Sequence, residues 1–457
     1  EHLALARLGI PDYDHNGSVE ATRTYFTSSG RPDEVVAFLD AVVAGLADLP
    51  LDRILFERRI LRAERDRRGF SVNGAVRWYR FGYDGHGRGL GPQDDELGLD
   101  WLGPEPVRAW AAERFTRQNA ACWLSKPPPA GLRLPLADGV RQNVAAPVTV
   151  PGVAFPSHRR WDGPGATLSF ISSRTPGANM ISNIAHRRMR RQLRFDHGLV
   201  YDVRFEYEAL GPDTTHVVFA TDCPPARRGR VIGVLVDVLD ELARTGPTEA
   251  ELKREVAAFI RQLEARDGRL SVVDALAIDH LWDGPFLSAQ GLHDLRRAVT
   301  PDDAVAALRE ALPTLLAVVD ADTPAGRFTD YPISSPDAIV GREHGPIGFF
   351  LLPAWKPTQR LIAGPYGISA VVSPTARMTI YYRDCVAVVH EAPQVRRLLA
   401  RDGTSFAVDG AMWKDGRRAI AGIDAAIPAE LVACTEHGVG GLEDPDSEED
   451  VAASARP

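Results

Sequence analysis

The chain repeats itself, and a repeat fixes what it can fold into more tightly than any single motif. The run "LGPEPVRAWAAERFTRQNAACWLSKPPP" orders a cap, an amphipathic helix and a short apolar run; "VTPDDAVAALREALPTLLAVVDADTP" has the same order. In both, Pro and acids near the start mark a helix N-terminus. In both, the closing run (Ala120 to Leu124, Leu315 to Val319) reads as a buried strand. Upstream of each lies a long charged helix, "LPLDRILFERRILRAERDRR" and "GPTEAELKREVAAFIRQLEARDG". Further upstream, "PDEVVAFLDAVVAGLADLP" answers "RRGRVIGVLVDVLDELARTG". The repeat unit is about 150–170 residues, each copy mixing strands with paired helices. The fold class expected is therefore α+β: two duplicated halves of sheet plus helices.

The rest of the 457 residues falls outside the repeat. Residues 1–130 make the first half and 166–325 the second, joined by a Pro-, Gly- and Ala-rich linker over 131–165. From about 335 short β-like runs with Gly and Pro punctuation take over, followed by one helix, "DGRRAIAGIDAAIP", with Asp415 at its N-cap position. Residues 337–441 are expected to form a small, mainly β domain, similar to bacterial pleckstrin-like β-folds. The acidic tail 442–457 lacks aromatics and reads as disordered.

Bulk chemistry narrows the function. A net charge of −8 argues against a general nucleic-acid binder. The longest apolar runs are too short and interrupted to span a bilayer. Cys122, Cys223, Cys385 and Cys434 are isolated, which reads as reduced core thiols of a cytoplasmic protein. Arginine outnumbers lysine and alanine is abundant, a bacterial high-GC coding bias.

Two acids stand out. Glu57 and Glu64 are seven residues apart, so they lie within about 20° of each other on one helical face. That face also carries Ile54, Ile60 and Leu61, and carboxylates on an apolar stripe need a cation to meet them. Arginines of a neighbouring helix could do so, and so could a metal. The opening dipeptide bears on that choice: Glu1 and His2 start an amphipathic segment stopped by Gly9 and Pro11. "EH" is the second half of H-x-x-E-H, which sets two histidines on one helical face beside a glutamate.

The order "EHLAL…NGSVEATRTYF…PDEVVAFLDAVVAGL…FERRILRAE" resembles the pitrilysin/insulinase family of inverted-motif zinc peptidases. The resemblance implies Glu1 as general base, His2 and Glu64 as zinc ligands, and Glu57 as a supporting acid. By it a further histidine precedes Glu1 by three positions, so the recorded sequence opens inside the active-site helix, with the first ligand and the opening strands upstream. Asn16 and Thr24 match the family's cleft-lining strand; by itself Asn16-Gly17 also reads as a turn. In the second half "MRRQLRFDHGLVYDVRFEYE" is similar to a family segment where a helix ends at glycine and a strand begins. It implies that Arg194 and Tyr201 contact substrate and the tetrahedral intermediate. Without it, Arg194 reads as a helix C-terminal charge and Tyr201 as a half-buried strand aromatic. His186 and His197 have no ligand spacing and read as structural.

The repeat separates the halves chemically. Aligned, the charged helices set Lys253, Arg254 and Ile260 opposite Glu57, Arg58 and Glu64. The second copy lacks the metal acid, as in a family with catalytic and non-catalytic halves. The implied activity is zinc-dependent endopeptidase cleavage of peptides or unfolded polypeptides. Zn2+ is the cofactor and a homodimer the expected assembly, a heterodimer being the other arrangement; neither nucleic acid nor membrane is a partner. The competing reading is a non-catalytic, peptidase-like binding or scaffold subunit.

Overall fold

The computed structural model describes residues 2–5, 8, 12–20, 22–68, 72–82, 103–130, 132–144, 148–161, 163–285, 287–324, 326–332, 335–347, 359–373 and 376–434. The described chain divides into two compact units, parting between Tyr331 and Pro332. Glu1 and the tail 442–457 lie outside the described residues.

The second half of the first unit holds a six-stranded sheet in the order β5-β6-β4-β7-β3-β8. Its strands are β3 (Ser157–Arg159), β4 (Ala166–Ser173), β5 (Arg204–Ala209), β6 (Thr214–Thr221), β7 (Leu316–Val319) and β8 (Thr329–Asp330). β4 lies between β6 and β7, antiparallel to both, while β3 runs parallel to β7. β4, β6 and β7 are buried along almost their whole length, as β-branched strands covered on two faces must be.

One face is covered by α6 (Pro176–Arg190), α7 (Arg228–Thr245) and α11 (Pro301–Ala311), which surround Leu168, Phe170, Val217 and Phe219. Their starts follow from sequence. Thr175 Oγ1 accepts from Ala178 N–H ahead of Pro176, and Thr300 with Asp303 forms a capping box ahead of Pro301. Thr248 and Glu251 do the same for α8 (Glu249–Glu264). α9 (Arg266–Leu281) and α10 (Ala289–Arg297) follow α8.

The other face is covered from the first half. α4 (Val72–Phe81) lays Ala75 and Val76 against Val218, Ala220, Leu316 and Val318. Arg80 is fully buried there; its Nη2 donates to Ser169 O at 3.0 Å and Ser169 Oγ at 2.9 Å, and burial lowers its pKa to about 9.

The first half repeats the order in reduced form. α1 (His2–Leu5), the hairpin β1 (Asp14–Val19) and β2 (Thr24–Ser29), α2 (Pro32–Ala47), α3 (Ile54–Arg68), α4 and α5 (Pro104–Arg114) answer the end of α6, β5, β6, α7, α8, α9 and α11. One expected strand does not form: Ala120–Leu124 carries no ladder, and Cys122 is exposed rather than a core thiol. The reason is the neighbour. β7 is buried because β4 and β3 flank it, whereas among the described residues no strand pairs with 120–124. Cys223 and Cys385 are buried, as read from the sequence.

The second unit contains two four-stranded sheets. One has the order β12-β11-β10-β9: β9 (Arg342–His344), β10 (Arg360–Gly364), β11 (Gly367–Ser373), β12 (Ala376–Tyr381). The other has the order β15-β14-β13-β16: β13 (Cys385–Ala392), β14 (Val395–Ala400), β15 (Ser405–Asp409), β16 (Val432–Cys434). α12 (Gly416–Ala426) packs Ala419, Ile420 and Ile423 onto their shared core. Asp415 is its N-cap residue, but at φ 55° its side chain makes no cap bond and instead accepts from Arg342 Nη2 at 2.6 Å. The expected α+β architecture with a small, mainly β domain is the one observed.

Candidate functional site

His2 lies on α1, which packs against both α2 and α3, the helix of Glu57 and Glu64. In the second half the end of α6 stands in the same way against α7 and α8. Close approach of α1 depends on Gly45 of α2: a Cβ there would lie 2.3 Å from Ala4 O. The side chains of His2 and Glu64 lie outside the described residues. Among the described residues no group of three His, Cys, Asp or Glu side chains could hold a metal.

Glu57 is described. It is 7% exposed, and Arg53 Nε and Nη2 donate to its Oε1 at 3.3 and 3.2 Å. One cation that meets this buried acid is thus an arginine, on the preceding 3₁₀ turn Leu51–Arg53. Arg53 also stacks over Phe56 at 4.8 Å.

Asn16 and Thr24 do not share one strand. Asn16 is exposed on β1 opposite Thr27; Thr24 opens β2 opposite Val19. Asn16-Gly17 is strand, not turn, and Gly17 is buried.

Arg194 and Tyr201 are brought together at a corner whose glycine the sequence signals and whose π turn it does not. α6 runs into a π-helical turn, Arg191–Asp196, then Gly198 at φ 59° turns the chain. The strand begins at Arg204, so Tyr201 stands in the connection, 82% exposed rather than half-buried in a strand. The Arg194 guanidinium lies 4.7 Å from the Tyr201 ring centroid and 5.2 Å from that of Phe195, itself exposed. Phe195 was not singled out by sequence, because a lone aromatic beside an arginine carries no spacing. His186 donates from Nε2 to Val203 O at 2.7 Å and stacks on Phe205, which keeps it structural; burial lowers its pKa. His197 Nδ1 accepts from Arg230 Nη2 at 3.4 Å.

The seam between α6 and α8 is ionic. Arg188 Nε and Nη2 each reach a Glu251 oxygen at 2.8 Å, holding that carboxyl down at about 2, and Arg187 pairs with buried Glu255. Ile260, opposite Glu64 in the repeat, is half-buried on the same helix.

Comparison with known proteins agrees with this architecture. The family model described as "Peptidase M16 inactive domain" matches residues 177–259. No curated protein matches the chain in sequence. Among solved structures, the chain is similar to a peptidase M16 inactive domain from Pseudomonas fluorescens (14% identity, TM-score 0.51, 71% of this chain and 84% of that one). It is also similar to a protease from Helicobacter pylori (16%, 0.50, 69% and 84%) and to a chain of complex III2 from Candida albicans (12%, 0.52, 69% and 84%). At these identities the likeness concerns the fold. The resemblance to the pitrilysin-type M16 peptidase family is thereby supported: residues 177–259 match the model of that family's inactive domain, and the fold is that of the solved structures.

Proposed function

We propose that the protein is a zinc-dependent endopeptidase acting on peptides or unfolded polypeptides, with its metal elements in the first half. The observation that carries this reading is the packing of α1 on α3, which sets the helices of His2 and Glu64 side by side. An imidazole and a carboxylate are donors that zinc takes in catalytic sites. Bound there, zinc would polarise the scissile carbonyl and lower the pKa of water. Glu1 takes a proton from the attacking water and passes it to the leaving amine. Glu57, buried against Arg53, supports the ligand helix. Arg194 and Tyr201, stacked and exposed, donate to the oxyanion. Asn16 and Thr24 hold an extended substrate at the hairpin. The assembly proposed is a cytoplasmic homodimer; no described helix is long and apolar enough to cross a membrane.

A specific observation favours the scaffold reading: the matched family model is the inactive domain, and its α6–α8 seam is an ion-paired, structural one. Metal analysis with a quenched-peptide assay decides between the two. The enzyme reading expects stoichiometric zinc in the intact protein and loss of cleavage by about 10²–10⁴ in Glu1→Gln. Arg194→Ala should cost about 10²–10³ in kcat with zinc content unchanged. Full activity in Glu1→Gln, or intact protein without zinc, hands the case to the scaffold.

A further inference from the structure

Around the Gly198 turn the fold gathers arginines whose charge its own acids do not balance. The π turn Arg191–Asp196 is closed by His197 N–H donating to Gln192 O at 3.0 Å and by Leu199 N–H donating to Leu193 O at 2.7 Å, so backbone bonds pin the corner. The start of α7 packs against it, after the 3₁₀ turn Pro225–Arg227. The acids here are already taken. Asp202 meets Arg190 Nε at 2.8 Å, and Asp196 lies 3.8 Å from Arg191 Nε. Asp222 pairs with Arg204, and Asp320 with Arg228.

Three guanidiniums are left over, each held by neutral groups. Arg227 Nη1 donates to Gly198 O at 3.1 Å and to Leu199 O at 3.3 Å. Arg230 Nη2 reaches His197 Nδ1 at 3.4 Å; a guanidinium only donates, so Nδ1 accepts and the imidazole proton sits on Nε2. Arg194 lies over the rings of Phe195 and Tyr201. Among the described residues none of the three meets a carboxylate. Carbonyls, an imidazole and ring faces fix where a cation sits without cancelling its charge. Arg227, Arg230, His197, Phe195 and Tyr201 are all exposed, so that charge is open to a ligand. In a chain of net charge −8 this corner is a local reversal of sign. All of these residues lie between 190 and 230, a stretch described without a break.

We infer that this corner binds an acidic stretch of polypeptide, whose carboxylates meet Arg227, Arg230 and the Nε2–H of His197 beside the Arg194–Tyr201 pair. The inference builds on the reading that this pair faces a polypeptide, and it holds whether or not that polypeptide is cut. An extended segment presents every second side chain to one side, about 7 Å apart, so one short stretch can offer several carboxylates to the corner. Apolar side chains between them find the exposed rings of Phe195 and Tyr201. A nucleic acid is the poorer occupant, because the net charge of the chain repels a long polyanion everywhere but at this corner.

Fluorescence anisotropy on the full chain tests it, with two short labelled peptides that are identical except that one carries Glu where the other carries Gln. In about 0.1 M salt the Glu peptide should bind about tenfold more tightly, and about 1 M salt should remove most of the difference. Arg230→Gln, at an exposed position, should shrink the preference by about threefold. Arg244→Gln is the control. It removes the same charge from the exposed far end of α7, about 21 Å along the helix and beyond the screening length, and should leave the preference unchanged. Equal binding of the two peptides, binding of neither, or equal losses in the two variants would overturn the inference. Cleavage and zinc are read on the same samples. A Glu peptide held but never cut, with no zinc bound, sinks the endopeptidase reading alone; a Gln peptide held and cut as well as the Glu peptide sinks this inference alone.

Discussion

The two helices that cross the repeat, α4 and α9, occupy matching places in the two copies and have different fates. α4 lies under a complete sheet and buries Ala75, Val76, Trp78 and Phe81. α9 faces a two-stranded hairpin and an unpaired run, and its described apolar residues stay half-exposed. Part of the reason lies in the helices themselves, since α4 is the more strongly amphipathic of the two. The rest lies across from them, where among the described residues α4 meets a six-stranded sheet and α9 meets the hairpin's turn through Arg23. A repeat thus specifies where an element goes, while burial, and so stability, depends on what the partner copy supplies.

The sharpest way to break that comparison is a matched pair of charges. Val76 lies on the sheet-facing side of α4, and Val273 lies on the side of α9 that carries Asp274, which meets Arg23 and Trp123. Val76→Asp puts a carboxylate among Val218, Ala220, Leu316 and Val318 with no cation to meet it, and should cost more than about 3 kcal/mol. Val273→Asp, at a half-buried position, can turn to water and should cost about 1 kcal/mol or less. Urea denaturation of both variants reads the difference as a shift in midpoint. Equal losses would mean that α9 is as well covered as α4.

The next effect concerns how α1 is seated. Gly45→Val would drive a side chain into Ala4 O, so α1 or α2 must move, at about 1–3 kcal/mol. Thermal unfolding measures the loss, and on the proposed zinc reading the metal content of the same sample reports whether α1 has left α3. A variant that unfolds at the wild-type temperature with unchanged metal would show that α1 docks some other way.

Much of this was legible in the sequence, for definite reasons. The starts of α5 and α11 followed from Pro and acids near the start, a pattern that acts locally. The buried β7 followed from an apolar run. The same reasoning failed for Ala120–Leu124, because a strand is a property of its neighbours and the run cannot report them. It missed the π turn at Arg191–Asp196, whose i to i+5 bonding has no residue signature, and so put Tyr201 on a strand. It placed Asn16 and Thr24 on one strand because spacing alone does not show that the chain reverses between them. Glu57 was read as needing a cation, and Arg53 one turn upstream is one that meets it, a contact that periodicity allows but does not select.

A smaller effect contrasts the two seams. Glu251 titrates at about 2 in the folded protein, below an unfolded carboxyl near 4.3, chiefly because Arg188 donates two bonds to it. A depressed folded pKa contributes stability above the unfolded value, lost as pH falls from about 4.3 towards 2. Glu251→Gln should cost about 1–2 kcal/mol at neutral pH and flatten the acid limb of the stability profile in that window. Midpoints recorded between pH 7 and 2.5 for both proteins test this, and parallel profiles would remove Glu251 from the seam's energetics.

The smallest expected effect is at the other seam. Arg53→Ala removes the two bonds to Glu57 Oε1, but Arg53 is substantially exposed, and Glu57 makes a further interaction besides this one. A buried carboxylate that keeps a second contact is not stranded, so the cost should stay near or below about 1 kcal/mol. If Arg53 serves only structure, peptide cleavage should fall no more than the folded fraction does. If the Arg53–Glu57 pair orients the helix of Glu64, zinc affinity should drop while the unfolding midpoint hardly moves. Zinc competition titration set beside the urea midpoint separates these outcomes, and an unchanged affinity would place Glu57 among the structural acids of α3.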